Sequence, residues 1–413
     1  MDAINRHDRH KYRIAYIMSR FPKISETFIL NEIVTMQQLG ADIRIFPLLR
    51  QKTDLRHKKA ESLVQSAYYS PFLSPAIAKS QWYFIKKSPL RYINLWIKLL
   101  WHSLPSANFF FGTLGILPKS VHNARLMLEL DIKHIHAHFA THPTVSAMIV
   151  HELTGIPFSF TAHGSDIHVR QTMLCQKIAR ASFVVAISDY NRALMLKTCP
   201  HIDADKIKMI HCGVDTSEFT AAKKKNKTLN IINVARFEQV KGHTVLIRAC
   251  RRLKNRNIPF GCHLIGHGPL FGAIQKQVKR ANLQDEITFY GNLTQDQVRE
   301  KLADADVFVL ASVPTRSGKR EGIPVVLMEA MATGLAVISS RLSGIPELIT
   351  HQYDGFLISP GDDEELAAIL EKLYREKELS TKWAKNASKR IFSDFDLLDN
   401  TRNKLLEMEK TIA

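Results

Sequence analysis

The sequence predicts an α/β protein of two domains, each a parallel sheet covered by helices on both faces. Three observations carry this. The chain has 413 residues, more than one hydrophobic core usually organises. Its second half alternates short β-branched runs with helical patterns of ten or more residues. Its first half follows the same plan, with an interruption at residues 51–130. Such alternation makes βαβ units and a parallel sheet, which binds ligands beyond the carboxyl ends of its strands.

In the second half the expected strands are Ile231–Ala235, Cys262–Ile265, Ile287–Tyr290, Val307–Ala311 and Ala336–Ser339. The helices between them are His243–Arg256, Leu270–Ala281, Gln295–Ala303 and Pro324–Thr333. In the first half, strands are expected at Arg13–Met18, Ile43–Pro47, Ile132–Phe139, Phe158–Thr161 and Phe183–Ile187, with a helix at Glu26–Leu39. The polar run Lys223–Lys227 reads as the linker between the halves. No internal sequence repeat is visible.

Hydrophobic residues make up 45% and charged residues 23%, which excludes a mostly disordered chain, a collagen-like fibre and a multi-span membrane protein. Lys+Arg number 57 against 39 Asp+Glu, a net charge of +18, so an anionic partner is expected. Residues 51–130 hold eleven Lys/Arg and three acids, the densest part of that excess. Residues 76–118 mix aromatic and basic side chains and read as helical. Two roles stay open for them: a membrane-interface surface, or a subdomain packed on the sheet with solvated basic faces. Leu99–Pro118 carries no Lys, Arg, Asp or Glu, but His102, Ser103, Pro105, Ser106 and Asn108 interrupt it, which argues against a spanning helix. The five cysteines are scattered without metal-ligand spacing, so neither a disulfide framework nor a zinc site is expected, and a reducing, cytoplasmic setting fits. The opening MDAINRHDRHKYR has no apolar core, so no signal peptide is expected.

The most informative segment runs from Arg320 to Gly334. Pro324 suits the first position of a helix. The amides of Gly322 and Ile323 then lie at a helix start, where anions bind. Glu321 at the rim and Glu329 about two turns in can accept hydrogen bonds from sugar and ribose hydroxyls; a capped amphipathic helix is the plainer alternative. Arg236 and Lys241 follow the strand ending at Ala235, so both cations project at the ligand end of the sheet. There they would stabilise a departing diphosphate. Gly266 and Gly268 form a Gly turn after the next strand, which allows close approach to a ligand or simply a turn.

His163 ends a strand and opens the tight loop Gly164–Asp166; it can serve as a hydrogen-bond donor to a sugar or phosphate oxygen, or be a structural histidine. Ser25 and Thr27 can cap the first helix or meet a polar acceptor. His134, His136 and His138 alternate on one strand face; no neighbouring acid or Cys completes a metal site, and His138 could line the ligand cleft. The DxD patterns Asp203–Asp205 and Asp304–Asp306 read as structural turns.

Taken in order, FPKISETFILNEI, HIHAHFATHP, FTAHGSDIH, VVAISDYNR, IHCGVDTSEF, VARFEQVKGH, LIGHGPL and EGIPVVLMEAMATG…SGIPELI cover nearly the whole chain. The set resembles the retaining glycosyltransferases of family 4, and within it bacterial exopolysaccharide transferases of the colanic-acid type. The resemblance implies a GT-B fold: two Rossmann-like domains facing a central cleft, with a helical insertion in the first. Residues 1–220 would bind the acceptor, 221–391 the nucleotide-sugar donor, and 392–413 would cross back to the first domain.

By position, the resemblance implies Arg236 and Lys241 on the donor diphosphate, Glu321 on the transferred sugar and Glu329 on the ribose. Gly266, Gly268, Gly322, Ile323 and Pro324 would complete the donor site. His163 would be catalytic, and Ser25, Glu26, Thr27, His138 and Asp166 would meet the acceptor. Many relatives have a Gly-Gly pair in the first loop where this chain has Pro22-Lys23-Ile24-Ser25. The resemblance implies no metal and no cofactor beyond a nucleotide-sugar co-substrate, a UDP-hexose being the expected one. The expected partners are a lipid-linked oligosaccharide acceptor and an anionic membrane surface, with the protein cytoplasmic and peripheral on the inner face. The rival readings are an epimerase or hydrolase on the same architecture and, more distantly, a nucleic-acid-binding protein. No helix-turn-helix, zinc-finger or RNP signature supports the last.

Overall fold

Near-continuous apolar runs such as Val307–Leu310 form central strands buried on both faces, the pattern of a parallel sheet. The computed structural model describes residues 12–23, 26–51, 61–72, 74–169, 171–219 and 228–412. The expected linker Lys223–Lys227 and the expected site residue Ser25 lie outside the described residues. The chain forms two compact units. The first holds Met1–Ile187, Asn191–Ile210 and Leu398–Ala413; the second holds Ser188–Tyr190 and His211–Leu397.

In the first unit the chain runs β1 (Arg13–Phe21), α1 (Thr27–Gln38) and β2 (Asp42–Arg50). Helices α2 (Glu61–Ser66), α3 (Pro75–Lys87), α4 (Pro89–Ser103) and α5 (Ala107–Glu129) follow. Then come β3 (His134–His138), α6 (His142–Thr154), β4 (Phe158–Ala162), α7 (Ser165–His168), α8 (Leu174–Arg180), β5 (Phe183–Ala186), α9 (Asp189–Thr198) and β6 (Ile207–Met209). The parallel sheet has the order β2-β1-β3-β4-β5-β6. The uncharged run Leu99–Pro118 is divided between α4 and α5, with a break after Ser103. No helix among the described residues is long and apolar enough to cross a membrane.

The second unit runs β7 (Leu229–Val234), α10 (His243–Asn255), β8 (Phe260–Ile265), α11 (Phe271–Arg280), β9 (Ile287–Gly291), α12 (Gln295–Ala303) and β10 (Val307–Leu310). It continues with α13 (Val325–Ala332), β11 (Ala336–Ser340), α14 (Ile345–Leu348), β12 (Phe356–Ile358), α15 (Asp363–Arg375) and α16 (Lys377–Asp394). Its parallel sheet has the order β12-β11-β10-β7-β8-β9. The ends of these helices follow local chemistry. Thr294 and Gln297 form a reciprocal capping box on α12, and the Asp362 carboxylate accepts the Glu364 and Glu365 amides at the start of α15. The last helix, α17 (Leu397–Ile412), buries Thr401, Lys404, Leu405 and Met408, one stripe at helical spacing, in the first unit.

Cys175 and Cys199 form a disulfide, Cα atoms 5.4 Å apart, which corrects the expectation that the cysteines stay free. A separation of 24 residues carries no pairing signal. The packing that brings Cys175 of α8 beside the end of α9 creates it. Strands β6 and β12 were not expected; each is three residues long and pairs along one edge only, too short for a periodic pattern.

Candidate active site

In a doubly wound sheet the ligand crevice opens where neighbouring strands send their connections to opposite faces. In the second unit that point lies between β7 and β10. Residues Ala235–Lys241 follow the carboxyl end of β7, and the loop carrying Glu321 follows β10. The two loops meet: the Lys241 Nζ is 2.9 Å from Glu321 Oε2, with both side chains largely shielded from solvent. Arg236 Nη1 lies 3.0 Å from Glu238 Oε1, and Lys319 also pairs with Glu238. Burial pushes the Glu238 carboxyl up, but Lys319, Arg236 and Lys241 outweigh it and hold the group below its usual value. Each expected phosphate-binding cation thus already carries a carboxylate partner. Glu238 and Lys319 were not singled out in the sequence, although Glu238 lies within the quoted VARFEQVKGH.

Gly266 and Gly268 have a sharper reason than ligand approach. A Cβ on Gly266 (φ +123°) would stand 2.2 Å from the Ala235 carbonyl oxygen, and one on Gly268 would stand 2.7–3.0 Å from the Phe237 backbone. The β8–α11 turn therefore lies directly on the Arg236 loop, tied by Phe237 N–H to the His267 carbonyl (3.2 Å) and Leu270 N–H to the Phe237 carbonyl (3.0 Å).

Pro324 is the residue before α13 rather than its first helical residue, and its side chain caps nothing. At the start of α13 the Leu327 amide donates to the Pro324 carbonyl (3.0 Å), while the Val325 and Val326 amides lie ahead of any acceptor a turn back in the helix. Gly322 is part-exposed just before this turn, and Ile323 is buried there. Glu329, part-buried on α13, has its carboxyl pushed up to about 7, chiefly by burial; Arg299 opposes the rise and Glu218 adds to it. It is thus poised to change charge near neutrality.

In the first unit the corresponding point lies between β1 and β3. Glu26 immediately precedes α1 and pairs with Lys23; its side chain makes no cap, and Thr27 is the first helical residue. His163, part-buried, follows β4 against the rings of Phe28 (4.9 Å) and Phe139 (4.6 Å), and burial holds its imidazole well below the usual value.

Two expected acceptor contacts have other work. Asp166 is 3% exposed, and its carboxylate accepts the amides of Ala140 (2.8 Å), His163 (3.1 Å) and Gly164 (2.6 Å). It clamps the β4 loop to the β3 loop, leaving little for an acceptor. Buried Lys177 donates to the Ala140 carbonyl at the same place. His138 is 0% exposed, so it cannot line a cleft. Its Nδ1 is 3.1 Å from His163 Nε2, and its Nε2 is 3.4 Å from Glu32 Oε1.

Glu32, His136 and His138 bring ligand atoms within 4.8 Å of one another, so the acid missing from the neighbouring sequence arrives from α1. Yet Glu32 Oε2 holds the Lys404 ammonium at 2.6 Å, and Oε1 accepts the Tyr16 hydroxyl at 2.8 Å. Both His136 nitrogens are engaged, by Ser159 (2.8 Å) and Thr161 (2.9 Å). A buried hydrogen-bonded network fits this arrangement better than a cation site. Tyr16, Glu32 and Lys404 were missed in the sequence. A signal existed for two of them: Glu32 and Lys404 each fall on the apolar stripe of their helix.

Asp203 caps a short turn at Ala204–Lys206, accepting the Asp205 amide (2.9 Å), and Asp306 accepts the Asn230 amide (2.9 Å). Both fit the structural reading of the DxD patterns.

Comparison with known proteins bears on the family and the fold. Residues 26–218 match the model for Glycosyltransferase Family 4, and residues 215–390 that for Glycosyl transferases group 1. The amylovoran biosynthesis glycosyltransferase AmsK of Erwinia amylovora is 30% identical over 376 residues, 87% of this chain and 90% of that protein. The putative colanic acid biosynthesis glycosyltransferase WcaL of Salmonella typhimurium is 30% identical over 379 residues, 88% of this chain and 91% of that protein. In fold, the chain superposes on Anabaena Alr3699/HepE, solved in complex with UDP-glucose, with a TM-score of 0.71 at 18% identity, covering 96% and 99% of the two chains. With a family model on each half and relatives at this identity along most of its length, the chain belongs to the family 4, group 1 glycosyltransferases of GT-B fold.

Proposed function

We propose that the protein transfers a hexose, with retention of configuration, from a UDP-hexose to a lipid-linked oligosaccharide in bacterial surface polysaccharide synthesis. The observation that carries the donor half is the junction of the β7 and β10 loops, where Lys241 holds Glu321 beside the start of α13. Arg236 and Lys241 stabilise the departing diphosphate, aided by the amides of Gly322 and Ile323. Glu321 orients the sugar and Glu329 accepts from the ribose hydroxyls. The bond from the sugar's anomeric carbon to the diphosphate breaks, and a new bond forms to the acceptor hydroxyl on the same face. A phosphate oxygen takes the hydroxyl proton. Protein cations and backbone dipoles neutralise the leaving group, so the reaction as proposed needs no metal or further cofactor. That HepE was solved with UDP-glucose supports a UDP-sugar donor.

The acceptor side is read from α4. Tyr92, Leu95, Leu99 and Ser103 form its buried stripe. Opposite lies a second apolar stripe, Leu90, Ile93, Ile97 and Trp101, continued by Leu104, with Leu90 77% and Trp101 71% exposed. A helix apolar on two faces needs a second apolar environment. Arg91 and Lys98 flank the outer stripe, and Lys79, Lys86 and Lys87 are exposed on α3, while residues 62–128 contain no acid. Lys119, counted with these cations from sequence, is buried and donates to the Leu48 carbonyl at 2.5 Å. Apolar residues edged by cations suit the headgroup region of an anionic leaflet, which supports a peripheral position on the cytoplasmic face.

A screen of UDP-, GDP- and ADP-hexoses for binding to the purified protein tests the donor, with UDP-hexose expected to bind tightest. Free sugar or an epimer formed from donor alone would favour the hydrolase or epimerase reading. Flotation with anionic vesicles tests the membrane reading: retention at low salt is expected, and Trp101→Asp should abolish it. Indifference to the vesicles would end that reading and leave the transferase standing.

A further inference from the structure

A line of buried polar groups in the first unit has no part in the chemistry above. It begins at Lys404 of α17, 5% exposed, whose Nζ lies 2.6 Å from Glu32 Oε2 and 3.3 Å from Thr161 Oγ1. From Glu32 of α1 it passes to His138 of β3 (3.4 Å), and from His138 to His163 (3.1 Å). Tyr16 of β1 donates to Glu32 from one side, and His136 of β3, held by Ser159 and Thr161, stands beside His138. The two ends of this line are 241 positions apart in sequence, and His163 is its outermost member.

The direction of each hydrogen bond follows from what each atom can do. The Glu32 carboxylate faces His138 Nε2 at 3.4 Å, a contact outside hydrogen-bond geometry, and its negative charge favours the tautomer with the proton on Nε2. A neutral His138 then has a bare Nδ1, which only accepts. His163 must therefore donate from Nε2, and its own Nδ1 is left as an acceptor. The opposite arrangement would set a bare Nε2 of His138 against a carboxylate oxygen. Lys404 guards this polarity. Burial favours a neutral Glu32; the Lys404 ammonium opposes it most strongly, with His138 and His136 adding to it, so that the carboxyl stays ionised well below its usual range. Without Lys404, a protonated Glu32 becomes a donor, and every proton along the line can reverse.

We propose that Glu32 and Lys404 are positioning residues that hold His163 in the tautomer protonated on Nε2, so that it presents Nδ1 as a hydrogen-bond acceptor to a substrate hydroxyl. This reverses the donor role expected from sequence. It rests on His163 lying in the active site, but the tautomer itself does not.

The test is nitrogen NMR of the full chain with labelled histidine, which separates protonated from bare ring nitrogens, read beside kinetics. In the wild type and in Lys404→Arg, His163 is expected to be protonated on Nε2. In Lys404→Met the proton should move to Nδ1. The kcat of Lys404→Met should fall about 10-fold or more, the scale of lost positioning contacts, with little change in the donor KM and with recovery in Lys404→Arg. If Lys404→Met does not fold, Glu32→Leu/Lys404→Met with Tyr16→Phe removes the ion pair and its orphaned donor together, and both His163 tautomers should then appear. Protonation of wild-type His163 on Nδ1, or a tautomer indifferent to these changes, would overturn the proposal. A switched tautomer with unchanged kcat would instead remove His163 from the active site and leave the tautomer control in place.

Discussion

The cluster proposed to bind the donor in the second unit, its donor pole, and the histidine line of the first unit are two ways of placing charge at the end of a parallel sheet. At the donor pole, Arg236, Glu238, Lys241, Lys319 and Glu321 come from two loops and remain part-exposed. Their ion pairs are weak by themselves and can be exchanged for a phosphate. In the first unit, Tyr16, Glu32, His138 and Lys404 come from four distant elements and are sealed from water. There each unpaired group is costly, so the arrangement is rigid and sets direction rather than binding. Part-exposed charge is free to exchange partners; buried charge is held to one geometry.

This contrast is open to test, starting where the effect should be largest. Lys241→Ala should lower kcat by about 10²–10³-fold, the scale of losing one charge-stabilising donor. Thermal unfolding should move far less than turnover, because both side chains keep some contact with water and Glu321 can be solvated once the pair is broken. Unchanged transfer would break the donor assignment.

Asp166→Ala should show the opposite profile. It strips acceptors from three buried amides, costing about 2–4 kcal/mol, and should lower the melting temperature and turnover together. Wild-type stability would show that the clamp is dispensable. Gly268→Ala should cost about 1–3 kcal/mol, because its Cβ meets backbone that must shift. Donor affinity should fall with it, since the displaced backbone is the Arg236 loop; intact affinity would separate the two turns.

The smallest effect is a pH slope at Glu329. Ribose hydroxyls donate to the ionised carboxyl, so donor affinity should rise a few-fold between about pH 6 and 8, and Glu329→Gln should flatten it. Stability runs the other way. The folded value of about 7 lies above the ordinary 4.5, so the contribution is full below that ordinary value and is lost as pH rises through about 7. Glu329→Gln should therefore gain stability over the wild type at about pH 8. A wild-type binding slope retained in the variant would place the titration elsewhere.

The alternation of strands and helices was legible because each element declares itself within a short window. Gln295–Ala303 is the helix that its periodicity marks, and Leu229–Val234 differs from expectation only at its ends. The positions of Arg236, Lys241 and Glu321 were legible for a related reason: each lies in a loop that directly follows a strand the sequence marks. The Cys175–Cys199 pair, the burial of His138 and the Asp166 clamp were not legible, because each depends on which elements pack together.

The amino-acid sequence by itself determined the two sheets, the order of their elements and the cations at the ends of their strands, since these follow from local periodicity and short connections. Only the tertiary structure decided what the histidines of β3 do. Whether an imidazole meets substrate, metal or a buried carboxylate depends on partners from α1 and α17, far along the chain. The cost of burying Glu32 and Lys404 is offset only when they meet each other.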